Sequence, residues 1–558
     1  MAFFFAIFLR VPTTQTMNKR NSKFEVFQKN LKVIQDSLEA SNFSKALKHL
    51  LIAESIEPQN FAVINEIGTC YAKVGNNLKA LEYHCKAASI SSDNPIIIAN
   101  IGLDLSKLQR FEECIPYFQK SIELDTKNSI AYIGLINVFH HLGDHLKVSQ
   151  ISIDAISKFP QMPEFHSSLG AALIGLNQLN EAEYCIDTAL LLNPKKIDTK
   201  LNLGRLKSLR HKHNEAINIF EEVLQESQAT HKEHVPVIKY NLSYEYFWTG
   251  DLARGWDNYD FGFDTHVSHY QSRKPNRSFD VKRWEGEPLE NKTLLVWREQ
   301  GLGDEIMFLS MLHDVSLVVK NIVVECDHRL VNIVKGSFPK VKVRASSFDS
   351  QFKTEHSDYD FHIPMGSLGK IFRRAISDFK NNSSYLIPQK INDPVLDEFF
   401  SDKKGQVKIG ICWRSGILSN ERDINYIPLH HWQEIFRIPN AVFVNLQYGD
   451  CELELLDVEK FFNVTIHRWP SIDLKRDLDT VFSLIHELDV VVTAGTAVSP
   501  MTYSIGKPAL TFIPFFDWAS FGTNYFPWSP NMIPFLPNEG EEIKSTLSSI
   551  AIFIKENF

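Results

Sequence analysis

The sequence predicts an α + α/β protein, with a solenoid of paired helices in its first half and two parallel-sheet halves in its second. Three observations lead there. Small residues recur at a fixed step of 34 between residues 27 and 230. Beyond residue 293, short β-branched runs alternate with stretches of helical period. Between the two patterns lies a polar stretch, 264–292, broken by Pro275 and Pro288 and expected to be a linker.

The helical half is read from three series held in one register. Ala46, Ala80, Cys114, Val148, Ala182 and Ala216 form the first. Gly68, Gly102, Gly170 and Gly204 form the second, with Ile136 filling the gap in it. Pro58, Ser92, Thr126, Pro160 and Pro194 form the third. A small residue at a fixed step lets paired helices cross closely, and Pro, Ser or Thr at the boundary starts the next helix. Together the series resemble the tetratricopeptide repeat, with about six units and a partial one at 238–263. The resemblance implies a solenoid whose concave face takes a peptide or a partner protein, with Asn65, Tyr71, His140 and His166 as candidate groove residues. A plain helical bundle is the alternative.

Whole-chain properties narrow the function classes. A chain of 558 residues forms more than one domain. A net charge of −8 gives no general attraction to nucleic acid or anionic lipid. The seven cysteines show no CxxC or zinc spacing, as expected of reduced core thiols, and no metal site is expected. The apolar run of nine residues near the N-terminus is too short to span a bilayer and has no basic segment before it. No transmembrane segment, no nucleic-acid partner and a cytoplasmic location are the resulting expectations.

In the second half the expected strands are 293–297, 321–326, 341–345 and 360–364, then 407–413, 441–447, 464–469, 489–495 and 508–514. Helices are expected at 304–318, 328–336, 429–436, 452–461, 477–487 and 497–505. Alternation of this kind gives doubly wound parallel sheets, whose ligands lie outside the carboxyl ends of the strands. The domains are thus an N-terminal segment (1–26), the repeats (27–263), the linker, a first α/β lobe (293–390) and a second (391–558).

Three stretches sit at expected strand ends. EQGLGDEIMFLSML (299–312) does not complete GxGxxG, because Ile306 stands three after Gly303. Its Asp304 opens a helix and is either a cap or a carboxylate presented to the cleft. TAGTAVSPMTYSIGKPAL (493–510) turns through Gly495 into a helix, so that the amides of Thr496, Ala497 and Val498 and the Thr496 hydroxyl face a phosphate. ICWRSGILSNERDINYIPL (411–429) carries Arg414 and Arg422, cations for the same phosphates or else surface arginines. Gln447, closing the strand between them, is placed to bond a base or sugar. Asp477-Leu478-Asp479 looks like a metal-binding DxD, but it opens a helix, where carboxylates favour the dipole.

With WEGEPLENKTLLVWREQGLGDE, FVNLQYGD, DLDTVFSLIHELDVVVTAGTAVSPMTYSIGKP and FPWSP, these stretches resemble the heptosyltransferase-type glycosyltransferases of family nine over roughly 284–530. The resemblance implies a two-lobed GT-B fold with an acceptor-side first lobe and a second lobe binding a nucleotide-sugar. That nucleotide-sugar is the donor substrate, with no further cofactor. The family's motif aspartate, its general base, falls on Asp304, and its phosphate-binding cation on Arg422. The implied reaction is a metal-independent, inverting transfer of a sugar, with the repeats recruiting a protein partner or acceptor. In its glycine-turn motif the family usually carries an Asp-Thr pair and a His, whereas this chain has Gly495-Thr496 and Pro500. The alternative is therefore a non-catalytic scaffold or binding protein with a degenerate transferase-like domain.

Overall fold

A computed structural model describes residues 17–264, 273–275, 277–346, 357–380, 384–390, 393–416, 425–538 and 540–558. The chain forms two compact units that divide after Thr199.

In the first unit the helices come in pairs: Met17–Glu39 with Phe43–Ile56, Phe61–Lys73 with Asn77–Ile90, Pro95–Lys107 with Phe111–Leu124, Ser129–Leu142 with His145–Lys158, and Pro163–Gly175 with Leu179–Leu192. Asn42, Asn60, Asn76, Asn94 and Asp144 start their helices by accepting hydrogen bonds from the second or third amide that follows. The repeated glycines are contact points. A Cβ on Gly68 would lie 2.5 Å from the His84 ring, one on Gly102 2.8 Å from the Phe118 ring, and one on Gly170 2.7 Å from Ile186. Large residues of the second helix therefore fill the space that a glycine of the first leaves open.

The exception in the series follows the same logic. Ile136 stands where the others have glycine, and sixteen residues on, Ser152 stands where they have His84, Phe118 and Ile186. Both are buried, so bulk has moved from one helix to the other. Two expected groove residues are engaged within the repeats: Asn65 accepts from Asn100 at 3.0 Å, and the His166 ring is 2.9 Å from the Pro160 carbonyl.

The division falls within helix Ile197–Leu209, which pairs with His213–Thr230; Val235–Trp248 with Leu252–Tyr259 is the next pair. Two parallel sheets follow. The first contains β1 (Lys282–Arg283), β2 (Leu289–Trp297), β3 (Val319–Cys326), β4 (Lys342–Ala345) and β5 (Phe361–Pro364), in the order β1-β5-β2-β3-β4. The second contains β6 (Val407–Cys412), β7 (Ala441–Asn445), β8 (Ile466–His467), β9 (Val490–Ala494), β10 (Ala509–Phe512) and β11 (Met532–Phe535), in the order β11-β10-β9-β6-β7-β8. Apolar residues on both faces of the central strands, as in β9, make the sheets two-sided cores. Both β1 and β11 escape the sequence pattern because they are edge strands. One is two residues long, and the other contains Pro534, which an edge tolerates.

Two expectations need correction. The helix expected at 304–318 breaks into Leu302–Leu309 and Leu312–Val318. Ser310 Oγ donates to the Met307 carbonyl at 2.6 Å, and the Ser310 and Met311 amides bond three residues back, which tightens the turn and ends the helix. The stretch 264–292 is no free linker where it is described. Arg273 and Trp284 are buried, and β1 pairs with β5. The last helix pair likewise shares the core of the α/β part: Trp256 Nε1 donates to the Arg373 carbonyl at 2.8 Å, and Tyr240, Phe247, Trp256 and Tyr259 pack with residues of both lobes.

The exchange of bulk makes a prediction. Ile136→Gly should cost about 3–5 kcal/mol, the scale of an unfilled core site, and adding Ser152→Phe should recover part of that loss. Denaturant midpoints of the single and double variants check both.

Candidate active site

The turn between β2 and helix Leu302–Leu309 is held by buried charge on both sides. On one side, Glu299 is fully buried and receives Arg273 through both carboxylate oxygens, Nε at 2.5 Å from Oε2 and Nη2 close against Oε1. The Gly366 amide donates to the same Glu299 at 2.9 Å. Arg273 also reaches Asp260 at 2.8 Å and Ser367 at 3.1 Å, with its guanidinium over the Tyr259 and Phe263 rings. On the other side, Glu305 accepts from the Asp327 amide at 2.7 Å and pairs with Arg298 at 2.8 Å, while Arg298 also pairs with Asp327. Burial pushes the Glu305 carboxyl up to about 7 against the pull of Arg298.

Asp304 lies between these braces. Its Oδ2 accepts from the Gly301 amide at 3.1 Å, half of a capping box whose other half a glycine N-cap cannot supply. Asp304 is therefore a cap. It also lines a cleft of about 680 Å³ at the carboxyl ends of both sheets, and burial raises its carboxyl above the usual range against the lowering effect of two backbone amides.

The second turn meets the first at van der Waals distance. A Cβ on Gly303 would stand 3.5 Å from Pro500 and 3.9 Å from the Ala497 Cα, and helices Leu302–Leu309 and Val498–Ser504 pack together. Thr496, Ala497 and Val498 line the cleft. Two of the three amides are engaged: Thr496 Oγ1 accepts from the Val498 amide at 3.3 Å, and the Thr496 amide donates to the Ala494 carbonyl at 2.7 Å. Pro500 serves as the contact to Gly303. Gly495 has ordinary space beside it, with its nearest neighbour 3.7 Å from a built Cβ.

Other sequence assignments do not reach the cleft. Arg414 is turned onto Glu454 through Nε and Nη2 and onto the Asp450 carbonyl at 2.8 Å, a charge pairing that takes it away from the cleft wall. Gln447 is buried, its Oε1 accepting from the Trp413 and Arg414 amides at 3.1 and 3.0 Å, which holds the β6 exit; it lines the smaller pocket beside the cleft rather than the cleft itself. Arg422 lies outside the described residues. Asp477 caps its helix by accepting from the Thr480 amide, and Asp479 accepts from Asn332 at 2.7 Å.

The cleft contains groups that the sequence reading missed. Lys475, exposed on its wall, makes no ion pair with another described residue, and Arg329 lies beside it, held by Asp327 and donating to the Lys475 carbonyl at 2.8 Å. Asp517 faces the cleft after β10 and accepts from the Ala519 amide at 3.0 Å. The protein around it pushes its carboxyl up to about 6, and the charge of Asp304 adds to the rise. Asp517 was findable, because FFDWAS directly follows an expected strand and strand ends face the cleft. Lys475 had no such signal. A second pocket of about 310 Å³, lined by Tyr448, Trp469, Ile472 and Leu474, adjoins the cleft through residues common to both, Lys475 among them.

Comparison with known proteins bears mainly on the repeats. The tetratricopeptide repeat family model matches residues 97–128, and the chain contains tetratricopeptide repeats. Protein FlbA of Caulobacter vibrioides is 29% identical over 323 residues, covering 55% of this chain. The chain spans about half of that relative's length, 53%. Among solved structures, the MamA protein is 22% identical over 31% of this chain and 94% of its own, with a TM-score of 0.28. A tetratricopeptide repeat protein from Parabacteroides merdae is 14% identical over 44% and 95%, with a TM-score of 0.38. No helix among the described residues is long and apolar enough to cross a membrane.

Two predictions follow from the braces. Arg273→Met leaves the Glu299 charge buried and uncompensated, and should cost about 3–5 kcal/mol in a denaturant titration. Glu305 holds its proton more tightly folded than unfolded, so its stabilising contribution is complete below about pH 4.5 and lost as pH rises through about 7. Denaturant midpoints measured from pH 4 to 8 should therefore fall more steeply with pH in the wild type than in Glu305→Gln.

Proposed function

We propose that the second unit transfers a sugar from a nucleotide-sugar to a hydroxyl acceptor, inverting the anomeric carbon without a metal. One observation carries the reading: Asp304 of the first lobe and the Gly495–Val498 turn of the second face one cleft at the carboxyl ends of two parallel sheets. Its volume falls in the range of about 300–1,000 Å³ usual for small-molecule sites.

In this mechanism Asp304 takes the proton of the acceptor hydroxyl as its oxygen attacks the anomeric carbon. The bond to the diphosphate breaks on the opposite face, and the negative charge leaves with the nucleotide. A carboxyl raised by burial is a stronger base at neutral pH than a solvated one. The bond from Gly301 fixes its orientation, so capping and catalysis are compatible roles for one carboxylate. Lys475 faces the leaving diphosphate in place of Arg414, and the pocket beside it, walled by Tyr448 and Trp469, takes the base. The repeats recruit the protein acceptor or a partner.

A second reading is favoured by the position of Arg414: a binding protein that retains the cleft but not the chemistry. Thermal-shift screening with nucleotide-sugars, followed by donor turnover on any hit, separates the two readings, because binding without turnover supports the second. Under the first, Asp304→Asn should lower transfer about 10²–10⁴-fold with donor binding retained. The wild-type rate should rise with pH as Asp304 loses its proton. Normal transfer by the variant would remove Asp304 as the base.

A further inference from the structure

Charge is distributed unequally around the cleft. Lys475 lines both the cleft and the smaller pocket of Tyr448 and Trp469, with Arg329 beside it. Asp304 and Asp517 line the cleft but not that pocket, and neither carboxylate makes an ion pair with a described residue. We propose that Asp517 determines which sugar the cleft transfers, accepting the hydroxyls of a neutral sugar and refusing a sugar acid; this role rests on the transfer reading above.

The fold holds Asp517 in place beside the donor turn. Strands β9 and β10 run side by side, with Ala494 next to Phe512, so the segment leaving β10 starts beside the Gly495–Val498 turn. Oδ1 of Asp517 accepts from the Ala519 amide at 3.0 Å, and its carbonyl accepts from the Ser520 amide at 3.1 Å. Trp518, the next residue, is locked by the last repeat pair, its ring meeting those of Phe247 at 5.5 Å, Tyr244 at 5.8 Å and Tyr259 at 6.2 Å. A Cβ on Gly522 would stand 2.8 Å from the Trp248 carbonyl, so the chain after Trp518 runs against the backbone of the same repeat pair. Asp517 itself remains exposed on the cleft wall. Its carboxylate is therefore positioned before any ligand arrives.

The chemistry of this wall fits a neutral sugar. An ionised carboxylate only accepts hydrogen bonds, and its two oxygens match adjacent hydroxyls. The half-buried Trp518 beside it adds apolar surface to the same wall, suited to the C–H face of a sugar ring. A sugar acid would instead bring a third negative charge to Asp304 and Asp517. These two already act on each other, since the charge of Asp304 adds to the rise of the Asp517 carboxyl, and both act on the Tyr503 hydroxyl in the cleft wall. Like charges set together without a counter-ion are how a site rejects a ligand of otherwise matching shape. The diphosphate of the donor is spared, because Lys475 faces it.

The test uses the full chain with glucose and glucuronate carried on each of UDP, GDP, ADP and dTDP, matched donors that differ only in a hydroxymethyl or a carboxylate at C6. Calorimetry gives the affinity ratio within each pair, and the free nucleotides report the rest of the site. The wild type should bind the glucose member of its preferred nucleotide about tenfold or more tightly than the glucuronate member. Asp517→Asn and Asp517→Ser each keep an oxygen that can accept from the Ala519 amide. Both should melt as the wild type does, bind the free nucleotide equally well, and narrow the ratio about fivefold or more. Equal affinity of the wild type for both members, tighter binding of glucuronate, or an unchanged ratio in the folded variants would overturn the role of Asp517 and leave the transfer reading standing. No binding and no turnover of any of these donors would overturn the transfer reading, and the role of Asp517 with it.

Discussion

The buried pair of Arg273 and Glu299 is the interaction on which the rest of the second unit depends. A carboxylate with no water around it is tolerated only with a counter-charge and with its lone pairs occupied. Glu299 has both, from the Arg273 guanidinium and the Gly366 amide. The guanidinium in turn needs Asp260, Ser367 and the rings of Tyr259 and Phe263. One ion pair thus ties the end of the last repeat, the polar stretch after it, the exit of β2 and the turn after β5 into a single arrangement.

That arrangement sets the position of the turn that follows. Gln300 is strained, Gly301 gives its amide to Asp304, and Gly303 is bare enough for Ala497 and Pro500 to approach. The lobes are joined further along the same helix, where Tyr385 Oη donates to the Ile306 carbonyl at 3.0 Å and the Tyr385 and Leu386 amides donate to the Ser504 carbonyl. Asp304 is thereby held on a rigid element rather than a loop, as a group acting in a cleft must be. In the account proposed above, the same rigidity sets the distance between the base and the leaving group.

Much of this was legible from residue order. The period of 34 placed the helix pairs, and the glycine series marked their tight crossings. The Ile136 exception becomes intelligible only beside Ser152, because compensation between partners sixteen residues apart is invisible at a single position. Strand ends located Asp304 and the Gly495–Val498 turn in the cleft, since β-branched runs fix the strands and parallel sheets fix which end faces the ligand. Side-chain direction was not legible. Arg414 and Gln447 also sit at strand ends, but Glu454 and two backbone amides claim them, and neither partner is adjacent in sequence. Arg273 lay in a stretch whose composition reads as linker, because a charge in the core has no periodic signature.

The central claim is that the Arg273–Glu299 pair holds the Gly301–Asp304 turn in place. Amide hydrogen exchange by mass spectrometry on the wild type and Glu299→Gln tests it most directly. The account predicts faster exchange in peptides covering residues 299–309 and 365–368, with little change in β9 or β10 of the second sheet. Exchange in 299–309 that matches the wild type, in a variant that is folded, would contradict it.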